Sequence, residues 1–89
     1  FIGFLPPKKG RQAKLQEIAR LPYTIVLYES PHKLIKTLED LKTIFGADKL
    51  ISVSREISKV YEEHLHGSIH QLIEHFTKHP PKGEFVIII

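Results

Sequence analysis

The sequence predicts an α/β fold: a five-stranded mixed sheet flanked by helices, with residues 1–89 forming one domain. Two observations carry this prediction. Apolar, β-branched runs alternate with stretches of helical period in the order β-α-β-α-β-β-α-β, and such alternation is the mark of a layered α/β structure with parallel strands. The link between the third and fourth strands is also short, which suits an antiparallel pair inside the same sheet.

The elements follow in order. Phe1 to Leu5 is an entering strand, stopped by Pro6-Pro7. From Gly10 to Leu21, Ala13, Leu15, Ile18 and Ala19 recur at helical spacing, and Pro22 closes the helix. Thr24 to Tyr28 is a buried strand. Ser30-Pro31 reads as a helix start, with serine as cap and proline at the first helical position. The stripe Leu34, Leu38, Leu41 and Phe45 continues that helix, and Gly46 ends it. Lys49 to Val53 and Tyr61 to His66 are the third and fourth strands. Ser68 and Gln71 form a capping box for a last helix faced by Ile69, Leu72, Ile73 and Phe76. After the Pro80-Pro81-Lys82-Gly83 turn, Glu84 to Ile89 is the final strand.

Composition narrows the function classes. Apolar residues make up 42% of the chain and charged residues 26%, values of a folded domain rather than a disordered one. No apolar run is long enough to cross a bilayer, and a cytoplasmic protein without a membrane partner is expected. Cysteine is absent, which excludes disulfides, thiolate metal sites and cysteine nucleophiles, and suits a reducing compartment. The formal net charge is +3, and Lys8, Lys9, Arg11 and Lys14 cluster with no acid before Glu17. That cluster suits a polyanionic partner, although an ordinary solvated face has the same composition. Both ends of the chain are apolar, as expected of strands belonging to a larger protein.

Ligands of open α/β sheets sit beyond the carboxyl ends of the strands. Three polar segments are candidates for that edge: Tyr28-Glu29-Ser30-Pro31-His32, Ser54 to Lys59, and Lys82-Gly83-Glu84. The third enters a strand, so it joins the other two only if the last strand is antiparallel. Each also has a structural explanation, Ser30 as a cap, Glu29 beside a positive helix end, and Arg55 with Glu56 as a surface pair. His64-x-His66 would face one way on a strand with His70 a turn beyond, but without cysteine or a clear carboxylate partner no metal site is expected. Dinucleotide, Walker and nucleophile-elbow glycine motifs are all missing. Spacing alone identifies no reaction.

Four blocks together resemble a known family. They are Phe1-x-Gly3-Phe4-Leu5-Pro6-x-Lys8, Thr24 to His32, Arg55-Glu56-Ile57-Ser58-Lys59 with Glu62, and Lys82-Gly83-Glu84. In order and spacing they are similar to the C-terminal domain of ribosomal RNA small subunit methyltransferase I, within the tetrapyrrole methylase superfamily. Lys33 stands where the family commonly has arginine, and Ile57-Ser58 where it has Leu-Thr. The resemblance implies a two-domain, commonly dimeric enzyme that binds S-adenosyl-L-methionine between its domains. It implies methyl transfer to a cytidine ribose 2′-hydroxyl in small-subunit ribosomal RNA, with the N-terminal cofactor-loop domain lying outside this chain. Position by position it makes Tyr28, Glu29, Ser30, Ser54, Glu84 and Phe85 cofactor neighbours. Lys8, Lys9, Arg11, Lys14, Lys33 and Arg55 become RNA contacts, and Lys59 and Glu56 catalytic candidates. A tetrapyrrole methyltransferase domain and a non-catalytic RNA-binding module are the alternatives.

Overall fold

In the computed structural model the described residues are 3–56 and 62–89, with the backbone alone described at Glu56 and Glu62. The elements are β1 (Gly3–Phe4), α1 (Arg11–Arg20), β2 (Val26–Glu29), α2 (Leu34–Phe45), β3 (Leu50–Glu56), β4 (Glu62–Ser68), α3 (Ile69–Lys78) and β5 (Glu84–Ile88). Their order and type match the expectation from sequence. They form a five-stranded sheet in the order β1-β2-β5-β3-β4. β1 pairs with β2 in parallel, whereas β5 is antiparallel to both β2 and β3, and β4 is antiparallel to β3. The sheet is therefore mixed, and β5 lies between two strands that precede it in sequence.

One face of the sheet is closed. Leu27, Ile51, Val53, Phe85 and Ile87 point to it and are buried against Leu15 and Ile18 of α1, Leu34, Leu38 and Leu41 of α2, and Ile69, Leu72 and Phe76 of α3. The helices lie side by side, with α2 packed against both α1 and α3. Full burial of one such side chain contributes roughly 1.5–3 kcal/mol. At the centre, Phe76 and Phe85 meet edge to face with ring centroids 5.4 Å apart.

The closed side also holds a buried polar network. Arg11 donates from Nε to Asp40 Oδ2 at 2.9 Å, from Nη2 to Thr37 Oγ1 at 3.0 Å and from Nη1 to the Pro6 carbonyl at 3.2 Å. Thr37 in turn donates to Glu29 Oε2, and Glu29 Oε1 accepts from the Ser30 backbone N–H at 2.8 Å. One connected set of bonds thus ties α1, α2 and the end of β2 together, with Arg11 ion-paired to Asp40 and the Glu29 carboxylate hydrogen-bonded by Thr37 and the Ser30 N–H.

Two local signals read from sequence hold and one does not. Ser68 and Gln71 make the reciprocal capping box of α3. Gly46 follows α2 with φ near 94°, a backbone that a residue with a Cβ rarely adopts. Ser30, however, does not cap α2. The helix starts at Leu34 after a turn in which the Ser30 carbonyl accepts from the Lys33 N–H at 3.2 Å, and Lys33 occupies the cap position without a side-chain bond. The carboxylate of Glu29 takes the Ser30 N–H instead, so the polar group at this corner is supplied by the strand.

Candidate functional site

The antiparallel direction of β5 brings the three polar segments to one edge. Glu29 stands opposite Phe85 in β2–β5 pairing, and Arg55 and Glu56 stand opposite Phe85 and Glu84 in β3–β5 pairing. The ends of β1, β2 and β3 and the starts of β4 and β5 therefore share this edge.

A concavity of about 470 Å³ opens there, lined by Phe4, Tyr28, Ser54, Arg55, His64, Glu84, Phe85 and Val86. Four of the six residues expected near the cofactor, Tyr28, Ser54, Glu84 and Phe85, are among them. Strand alternation explains why the neighbours of Tyr28 are not. Tyr28 points to the open face, 39% exposed, while Glu29 points to the closed face, 4% exposed and hydrogen-bonded to Thr37. Glu29 belongs to the buried network, and Ser30 is half-buried in the turn behind it.

Sequence reasoning missed Phe4, His64 and Val86. Phe4 is in register with Tyr28, and their rings meet edge to face at 5.7 Å. His64 pairs with Ser54 across β3–β4, with Nδ1 and Oγ 2.9 Å apart. The next pair on the same face repeats the motif, Ser52 Oγ lying 2.7 Å from His66 Nδ1. The one-sided reading of His64-x-His66 was the available signal; its serine partners depend on the register between strands. Among the described residues, no three His, Asp or Glu side chains converge as a metal would require.

The cations divide into free and committed groups. Lys8, Lys9 and Lys33 are exposed beside the ends of β1 and β2. Lys33 and Lys36 border a hollow of about 180 Å³ with Pro7, Arg11 and His32. Lys14 makes a long, exposed 3.5 Å contact with Glu17 on its own helix. Arg11 departs from the RNA-facing set, because it is only 8% exposed and bonded to Asp40, Thr37 and Pro6. Arg55 bonds Glu63 at 3.0 Å, while its Nε is buried without a hydrogen-bond partner among the described residues. Of the catalytic candidates, Glu56 is placed by its backbone at the end of β3, and Lys59 lies outside the described residues.

No family model matches the chain. Curated proteins do, along its whole length. It is 43% identical over 90 residues to ribosomal RNA small subunit methyltransferase I of Synechocystis, 41% to that of Halalkalibacterium halodurans and 36% to that of Thermotoga maritima. Over its whole length the chain is similar to the C-terminal part of ribosomal RNA small subunit methyltransferase I proteins. It spans 32%, 31% and 40% of those three relatives, about a third of a family member. No helix among the described residues is long and apolar enough to cross a membrane.

Proposed function

We propose that the chain is the C-terminal domain of a cytoplasmic, homodimeric enzyme that methylates the 2′-hydroxyl of a cytidine ribose in small-subunit ribosomal RNA, with S-adenosyl-L-methionine as donor. The carrying observation is the concavity at the shared strand edge, in a chain whose relatives bear the name of a ribosomal RNA methyltransferase. An N-terminal domain outside this chain would complete the cleft.

The lining suits the nucleoside part of that cofactor. Phe4 and Tyr28 offer aromatic surface to an adenine, and Ser54 and Glu84 offer a hydroxyl and a carboxylate to sugar hydroxyls. When bound, S-adenosyl-L-methionine supplies an electrophilic methyl group on its sulfonium. The ribose hydroxyl is a poor nucleophile, so catalysis needs its orientation and removal of its proton. Glu56 and Lys59 are the groups of this chain proposed to help there, from the segment that leaves the concavity at the end of β3. Lys8, Lys9 and Lys33 would meet RNA phosphates, giving affinity and orientation without reading bases.

The test is to incubate the full-length protein with tritiated S-adenosyl-L-methionine and small ribosomal subunits lacking the modification, beside a tetrapyrrole precursor. Label mapped to a ribose of the ribosomal RNA supports the proposal. Label in the tetrapyrrole alone would retain the methyl donor and discard the RNA substrate.

A further inference from the structure

We propose that the hollow between the end of α3 and the start of β4 seats a backbone phosphate of the RNA, as a second anchor remote from Lys8, Lys9 and Lys33. This rests on the RNA-methylating reading above and names where on the domain the substrate is held.

The hollow measures about 430 Å³ and is lined by Arg55, Glu63, His75, His79 and Lys82, with Phe76 and Pro80 as its apolar wall. Its polar lining comes from four places in the chain. Arg55 is next to last in β3, Glu63 is second in β4, His75 and His79 lie one turn apart at the end of α3, and Lys82 is in the turn before β5. From His75 to Gly83 the chain contains no acid. Among the described residues the one carboxylate in the lining, Glu63, is engaged by Arg55 at 3.0 Å and approached by His75 Nε2 at 3.8 Å. The rings of His75 and His79 lie 4.9 Å apart, so two imidazoles line one small volume. Lys82 is exposed and has no ion pair among the described residues. Arginine, imidazole and ammonium donors around a shallow hollow are a chemistry for a phosphodiester, which accepts several charge-assisted hydrogen bonds at once.

Position gives the hollow its meaning. Arg55 lines both this hollow and the candidate cofactor concavity. An anion held here would therefore sit beside the site where the methyl donor is proposed to bind. The other cationic group, Lys8, Lys9, Lys33 and Lys36, lies at the same sheet edge beyond β1 and β2. One RNA strand lying along the edge would touch both groups and pass the concavity between them. The buried Nε of Arg55 has no hydrogen-bond partner among the described residues.

The experiment uses the full-length protein and a fluorescently labelled RNA fragment covering the decoding region, with anisotropy read across a salt series. Lys82→Glu combined with His79→Ala should weaken RNA binding by about tenfold and make the slope of log K against log salt shallower by about one. Glu63→Gln should tighten binding, an effect that a purely structural role for the cluster does not produce. Affinity for S-adenosyl-L-methionine, measured by calorimetry, should be unchanged in the Lys82 and His79 variant, which also certifies its fold. A Lys8→Glu, Lys9→Glu variant serves as the reference. If it loses RNA while the Lys82 and His79 variant binds as the unaltered protein does, the phosphate seat is refuted and the RNA-methylating reading stands. If the unaltered protein shows no salt-dependent RNA binding, both fall together.

Discussion

The two faces of the sheet are built from alternate residues of the same strands, yet they obey different rules. On the closed face Leu27, Val53, Phe85 and Ile87 are buried under three helices, and the polar groups admitted there, Arg11, Glu29 and Thr37, are bonded to one another. On the open face Phe4, Tyr28 and Ile88 are exposed, at 63%, 39% and 38%, and serine–histidine pairs stand beside them. Apolar side chains left at a surface contribute less to folding than buried ones, and where they gather beside a concavity they mark a candidate binding surface. The contrast teaches that the buried core and the proposed ligand surface are separated by one residue of strand alternation, as between Tyr28 and Glu29.

The largest expected effect comes from breaking the closed face. Phe85→Ala removes the ring that meets Phe76 at the sheet centre and should cost about 3–5 kcal/mol in urea denaturation of the full-length protein. Arg11→Ala comes next. It leaves the half-buried Asp40 with Lys36 alone among the described ion-pair partners and Thr37 without its buried donor, so about 3 kcal/mol should be lost, whereas exposed Lys8→Ala should stay within about 0.5 kcal/mol. Equal, small effects for Arg11 and Lys8 would return Arg11 to the solvent and erase the distinction. On the open face the readout changes. Tyr28→Ala should leave the unfolding free energy within about 1 kcal/mol and raise the Kd for S-adenosyl-L-methionine about tenfold, or 1.4 kcal/mol. A large stability loss with unchanged affinity would contradict the assignment of Tyr28 to a ligand surface. Away from both faces, Ser68→Ala removes one half of the α3 capping box and should cost about 1 kcal/mol in the same denaturation assay.

Much of the fold was legible because its signals are local. The Leu34–Leu38–Leu41 stripe, the Gly46 stop and the Ser68–Gln71 box each involve residues within a few turns of one another. Ser30 was misread because a serine before proline has the composition of a cap, while Glu29 already held its N–H. Arg11 was misread for a related reason. A run of basic residues records charge, whereas the inward turn of this guanidinium is set by Thr37 and Asp40, more than twenty positions away in sequence. The candidate site was legible where it depends on strand ends, at Tyr28, Ser54, Glu84 and Phe85. Phe4 and His64 enter it only through cross-strand register, which no local window contains.

The insertion of β5 has a consequence for how the molecule is assembled. β2 and β3 do not touch as neighbours; each offers a row of backbone groups to a strand that follows the other described elements in sequence. During synthesis the nascent sheet is therefore a slot with two unsatisfied edges, and closing it requires contacts distant in sequence, the kind that form slowly. An extended segment from another chain could enter the same slot by strand addition. Lys82, just before β5, and Glu84, its first residue, put charge at the entering end of the strand that fills the slot, which marks it off from a wholly apolar intruder.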